Sequence, residues 1–113
     1  MSELLMTEDY WAKLEGIWKV PVVIRPEFIG YLERANDRVY VHCDVFKWNR
    51  TVKEEIEFYL QILIKLQDGP LYAEHNVGDR KHLKWLKMYK FEFLESQINS
   101  EGLVKQVYIR KDQ

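Results

Sequence analysis

Cysteine is nearly absent from the chain: 113 residues contain one, Cys43. An intramolecular disulfide is therefore excluded, and nothing in the cysteine usage points to an oxidising compartment. Cys43 reads as a small hydrophobe within a strand. Proline (three) and glycine (five) are also scarce. That excludes Pro- or Gly-rich linkers, and residues 1–113 read as one domain. Charge of one sign is lacking too. The formal net charge is −1, which gives no global pull toward nucleic acid or an anionic membrane. No apolar run approaches the ~18 residues needed to cross a bilayer. Residues 1–7 have no basic lead and no long apolar stretch, so no secretory leader is expected. There is no internal repeat, no phosphate-binding Walker loop, no nucleophile elbow and no zinc-ligand spacing. The expectation is a soluble domain in the cytoplasm.

Apolar residues make up 47% of the chain and aromatics 14%, enough for a core. Residues 7–18 read as a short helix capped by Thr7, with Tyr10, Trp11, Leu14, Ile17 and Trp18 at helical spacing. Val20 to Ile24 is β-branched and carries Pro21, which predicts an edge strand or a strand start. Phe28 to Phe46 reads as a β-hairpin turning at Asn36-Asp37. In its second arm Val39, Val41, Cys43 and Val45 alternate with Tyr40, His42, Asp44 and Phe46. Thr51 to Leu66 is an apolar-striped helix (Val52, Ile56, Tyr59, Leu60, Leu63). Thr51 and Glu54 predict a capping box, and Gly69-Pro70 predicts the stop. Phe58 and Ile62 widen the stripe, which predicts burial on more than one side. Strand 71–75, helix 80–90 capped by Asp79, and a final pair, 92–98 with 103–110, complete a β-α-β-α-β-β order from Arg38. The first helix is a crossover, so strands 38–46 and 71–75 are expected to be parallel.

With these lengths, residues 28–110 resemble the GNAT acetyltransferase superfamily from its central hairpin to its C-terminus. The likeness is greatest to short GNAT-like proteins of tailed bacteriophages. It rests on Val39-Tyr40-Val41-His42-Cys43-Asp44-Val45, on Asn76 after the next strand, and on the basic helix ending in Lys90-Phe91. The implied fold class is α/β, a GNAT-like mixed sheet preceded by a short N-terminal helix and an edge strand (1–27). The resemblance implies an acetyl-CoA site using Val41, Cys43, Val45, Lys47, Arg50, Lys53 and Asn76. The departures imply the opposite. The family's pyrophosphate loop is glycine-containing, because exposed backbone N–H groups hold the anion. Here residues 46–55 contain no glycine, and Thr51 and Glu54 are expected to occupy the helix-start donors. The family's tyrosine acid aligns with Leu86 and its glycine with Lys90. The expectation is no catalytic residue, no metal ligand and no resident cofactor.

Arg80, Lys81, Lys84, Lys87 and Lys90 crowd eleven residues without an acid. A solvated outer face explains such a run. Like charges at i, i+3 and i+4 repel, however, so an anionic neighbour is also a reading. Nucleic acid, a CoA phosphate or an acidic protein surface all fit. Trp85 in the same helix suits core packing or base stacking. His42 and His75, on neighbouring strands, are candidates for an acid–base pair beside Asp44 or Glu74, against a structural reading of each. The apolar face of helix 51–66 calls for a cover: the N-terminal segment, a second copy in a homodimer, or another protein. The resemblance implies an accessory phage protein that binds and inhibits a host complex, acting in the host cytoplasm. Acetyl transfer through an atypical phosphate grip and nucleic-acid binding through helix 80–90 are the alternatives.

Overall fold

The computed structural model describes residues 3–4 and 19–112. The expected helix at 7–18, with Tyr10, Trp11 and Trp18, lies outside the described residues. Seven strands form one sheet: β1 (Glu3–Leu4), β2 (Val20–Ile24), β3 (Phe28–Ala35), β4 (Arg38–Val45), β5 (Leu71–Asn76), β6 (Glu92–Ile98) and β7 (Val104–Arg110). Helix α1 (Arg50–Gln67) links β4 to β5, and α2 (Arg80–Met88) links β5 to β6. The spatial order is β1-β2-β3-β4-β5-β7-β6. The expected β-α-β-α-β-β order is observed, and β4 and β5 are parallel.

The hairpin β3–β4 turns where Asn36 and Asp37 both take positive φ (53° and 62°). Asn and Asp tolerate that region, and it matches the twist of the flanking strands. Pro21 had suggested an edge strand or a strand start, and it stands second in β2. The strand is not at the edge: it lies between β1 and β3, because Glu3 and Leu4 pair with Ile24 and Val23. Pro21 falls outside that two-residue overlap, so its missing N–H costs no bond to β1.

The core lies between one face of the sheet and the two helices. Phe28, Leu32 and Val41 of the hairpin meet Val52, Ile56, Leu60, Leu63 and Ile64 of α1 and Leu86 of α2. Spacing of three and four along α1 puts its five residues on one stripe. Full burial of each stabilises the fold by about 1.5–3 kcal/mol, so Leu60→Ala would cost about 2–5 kcal/mol. Burial of α1 on more than one side is not observed: Phe58 is 58% exposed. Its side chain lies opposite the stripe, where no described element packs.

Both ends of α1 differ from the expected caps. The N-cap is Asn49 in extended conformation, and its Oδ1 accepts from the Val52 N–H at 2.9 Å. Thr51 therefore lies inside the helix, and no box forms with Glu54, which instead approaches Arg50 at 3.9 Å. At the other end Asp68, not Gly69, takes the left-handed conformation, and its N–H donates to the Ile64 carbonyl. The α2 N-cap is as expected: Asp79 Oδ1 accepts from His82 N–H at 3.1 Å. That helix ends at Met88, and Lys90 adopts φ 64° while the Phe91 N–H reaches back to the Leu86 carbonyl. This is a left-handed helix stop made by lysine where glycine is favoured.

Candidate functional site

Parallel strands share hydrogen bonds only while they stay side by side. Here β4 and β5 are in register at Tyr40 and Tyr72 alone, and then diverge. The wedge they leave is a cleft of about 360 Å³. Val41 to Val45 form one wall and Glu74 stands on the other, with Lys19, Lys81, His82 and Trp85 completing the lining. Of the residues implied for acetyl-CoA, Val41, Cys43 and Val45 line this cleft. Lys47, Arg50, Lys53 and Asn76 are exposed and outside its lining.

The β4–α1 loop, where a phosphate-binding loop is implied, is occupied with internal bonds. The Phe46 and Lys47 N–H groups both donate to the Glu27 carbonyl, at 2.8 and 3.2 Å. The Val52 N–H is held by Asn49. Arg25 ties the neighbouring β2–β3 turn to α1 through Glu55 at 3.2 Å. The Tyr89 hydroxyl donates to the Lys53 carbonyl at 3.0 Å, joining the end of α2 to the start of α1. Glu27, Glu54 and Glu55 thus surround a loop in which three amides already have acceptors. A diphosphate needs free N–H groups and positive potential.

The titratable groups in the cleft are mostly committed. Burial pushes the Cys43 thiol up to about 12, which favours the neutral thiol over the nucleophilic thiolate. His42 Nε2 lies 2.9 Å from Glu33 Oε1. The expected approach of His42 to His75 does not occur. The β4·β5 register puts His42 on the face of Tyr40 and Tyr72, and His75 on the opposite, core face with Ala73. His75 instead meets His82, Nδ1 to Nδ1 at 2.9 Å, with the rings stacked. One ring must donate and the other accept. Burial lowers the pKa of His82, and the nearby His75 lowers it further. The sequence offers a weak signal for this pair, a histidine near the end of a strand and another in the first turn of the next helix. Among the described residues no three metal-ligating side chains converge.

The basic face of α2 is as crowded as its sequence suggests. Arg80, Lys81, Lys84, Lys87 and Lys90 are all exposed, and among the described residues none makes an ion pair. Trp85, partly buried, lines the cleft beside Lys81. Its ring packs on Tyr89 (4.8 Å between centroids) and Phe91 (6.1 Å), against the core. Leu86 is fully buried. Tyr89 is buried as well, its phenol pKa raised by desolvation and its hydroxyl turned to α1. No described helix is long and apolar enough to cross a membrane.

No family model matches the chain, and no curated protein matches it in sequence. Solved structures do match. The ribosomal-protein-S18-alanine N-acetyltransferase from Escherichia coli superposes with a TM-score of 0.57 at 11% identity, over 92% of this chain and 76% of that one. A protein assigned as an acetyltransferase from Sphaerobacter thermophilus DSM 20745 is similar at 10% identity with a TM-score of 0.44, over 96% and 91%. At 11% identity the first likeness bears on architecture alone: the chain has a GNAT-like α/β fold with a mixed sheet.

Proposed function

We propose that this chain is a binding protein on a GNAT-like scaffold that does not transfer acetyl groups. The observation that carries the reading is the β4–α1 loop. Its Phe46, Lys47 and Val52 amides already have protein acceptors, and Glu27, Glu54 and Glu55 offset the cations Lys47, Arg50 and Lys53 beside them. The buried Leu86 and Tyr89 support it, since neither presents an acid to the cleft. The binding surface is the exposed basic face of α2 and the stop that follows it: Arg80, Lys81, Lys84, Lys87 and Lys90. Its partner presents an acidic protein surface. The resemblance to phage proteins extends the proposal to an accessory protein that inhibits a host complex. Isothermal titration with acetyl-CoA is the test. No binding is expected at millimolar coenzyme. Micromolar binding, lost in Lys47→Ala/Arg50→Ala, would overturn the reading. Charge reversal by Lys84→Glu/Lys87→Glu is expected to abolish partner capture without changing the circular dichroism spectrum.

The second reading is acetyl transfer with Lys47, Arg50 and Lys53 gripping the pyrophosphate. The open cleft along Val41 to Val45 favours it. Consumption of acetyl-CoA in the presence of cell lysate would select it. Nucleic-acid binding by α2 would instead show affinity that falls steeply with salt.

A further inference from the structure

The sheet ends at β6. Among the described residues this strand pairs with β7 on one side and with no strand on the other. An unpaired edge is a template for a further strand, and proteins usually blunt it with lysine, proline or a covering element. From Glu92 to Ile98 there is neither lysine nor proline. A register shift between Phe93 and Glu95 is the only irregularity. The strand is also bare: Phe93 is 54% exposed, Leu94 40% and Ile98 73%, and Val104, beside Ile98 in the register, is exposed with them.

Symmetry and charge select what this edge fits. Residues directly opposite in an antiparallel pair point to the same side of the sheet. A two-fold axis normal to the sheet carries each face onto itself, so facing residues come from one face. In the register with β7, Phe93, Ser96 and Ile98 share the face of Tyr108, Gln106 and Val104, while Glu95 and Gln97 share that of Val107 and Lys105. Beyond the Phe93–Leu94 bulge, three axis positions keep residues of β6 on both sides. An axis at Glu95 sets two carboxylates against each other, which is destabilising although each is paired with its own Arg38 at 2.8 Å. An axis at Gln97 places Ile98 against Ser96 and leaves Leu94 uncovered. An axis at Ser96 places Glu95 opposite Gln97 of the second copy and the Phe93–Leu94 bulge opposite its Ile98, twice over. Only this last register has no like charges facing and covers the apolar residues.

We propose that β6 pairs antiparallel with β6 of a second copy of this chain, with Ser96 on the two-fold axis, joining the two sheets. This goes beyond the binding reading above and does not depend on it, since none of the basic residues of that surface lies in β6. Sedimentation velocity across a concentration series tests it. A dimer is expected at concentrations of about 100 µM. Ser96→Asp, which sets two carboxylates on the axis at an exposed position, is expected to give a monomer with an unchanged circular dichroism spectrum. Ser96→Cys is expected to cross-link under mild oxidation at least about tenfold faster than Gln97→Cys, because only a residue on the axis faces itself. The wild type, whose Cys43 is partly buried, is the control. A wild type that stays monomeric, or a dimer that persists in Ser96→Asp, would overturn the proposal, as would equal cross-linking at both positions.

Discussion

Arg110 shows how much one side chain decides. It is 2% exposed, and its guanidinium donates to Glu57 at 2.9 and 2.6 Å, to the Tyr89 carbonyl at 3.1 Å and to Asp112 at 3.1 Å. Breaking such a network strands the remaining polar groups. Arg110→Ala should therefore cost about 2–3 kcal/mol in urea unfolding at pH 7, less than a fully buried pair because Glu57 keeps some solvent. The Arg110 hydrogen bond holds the Glu57 carboxyl below its ordinary value of 4.5. A depressed carboxylate stabilises the fold above the unfolded pKa and loses that contribution as pH falls through the folded value. Glu57→Gln should thus flatten the loss of stability below about pH 4.5. His82 has the same sign for a different reason. Burial lowers its pKa from 6.5, so its contribution is present above that value and lost as pH falls below it. Thermal melts between pH 7 and pH 5 should show less decline in His82→Gln than in the wild type. Neither network is legible in the sequence. Arg110 and Glu57 stand 53 residues apart, and their meeting depends on how α1 and β7 pack on one sheet.

At the scale of elements, most existence and type was legible and the ends were not. Periods of 3.6 and 2 marked both described helices and the hairpin, because burial of one face forces the pattern. The start of α1 was misplaced because Asn49 and Thr51 both suit an N-cap. The Glu27 carbonyl, by anchoring the Phe46 and Lys47 amides, sets where the loop releases the chain into the helix. Two substitutions separate the caps. Asn49→Ala should cost about 1 kcal/mol, while Thr51→Ala, inside the helix, should be nearly neutral. Lys90 holds a left-handed conformation that costs a side-chain-bearing residue about 1–2 kcal/mol. Lys90→Gly should therefore raise the unfolding free energy by roughly 0.5–1 kcal/mol.

For the whole molecule, the divergence of β4 and β5 is the feature that matters most. Beyond Tyr40, alternate amides of residues 41–45 face a cleft and not a strand. They should exchange with solvent faster than the amides of β7, which is paired on both sides. Acetyl-CoA should leave that exchange unchanged, and protection of residues 41–45 by the coenzyme would contradict the non-catalytic reading. The sequence by itself determined the order of strands and helices from Arg38, the turn at Asn36 and Asp37, and the unbroken basic face of α2. These are local consequences of spacing, backbone preference and charge. Only the tertiary structure decided that His75 meets His82 and not His42, that the Trp85 ring packs against the core, and that among the described residues β6 is left bare at the edge. Those outcomes depend on which sides of a sheet distant segments share, and burial settles that only once the whole sheet is assembled.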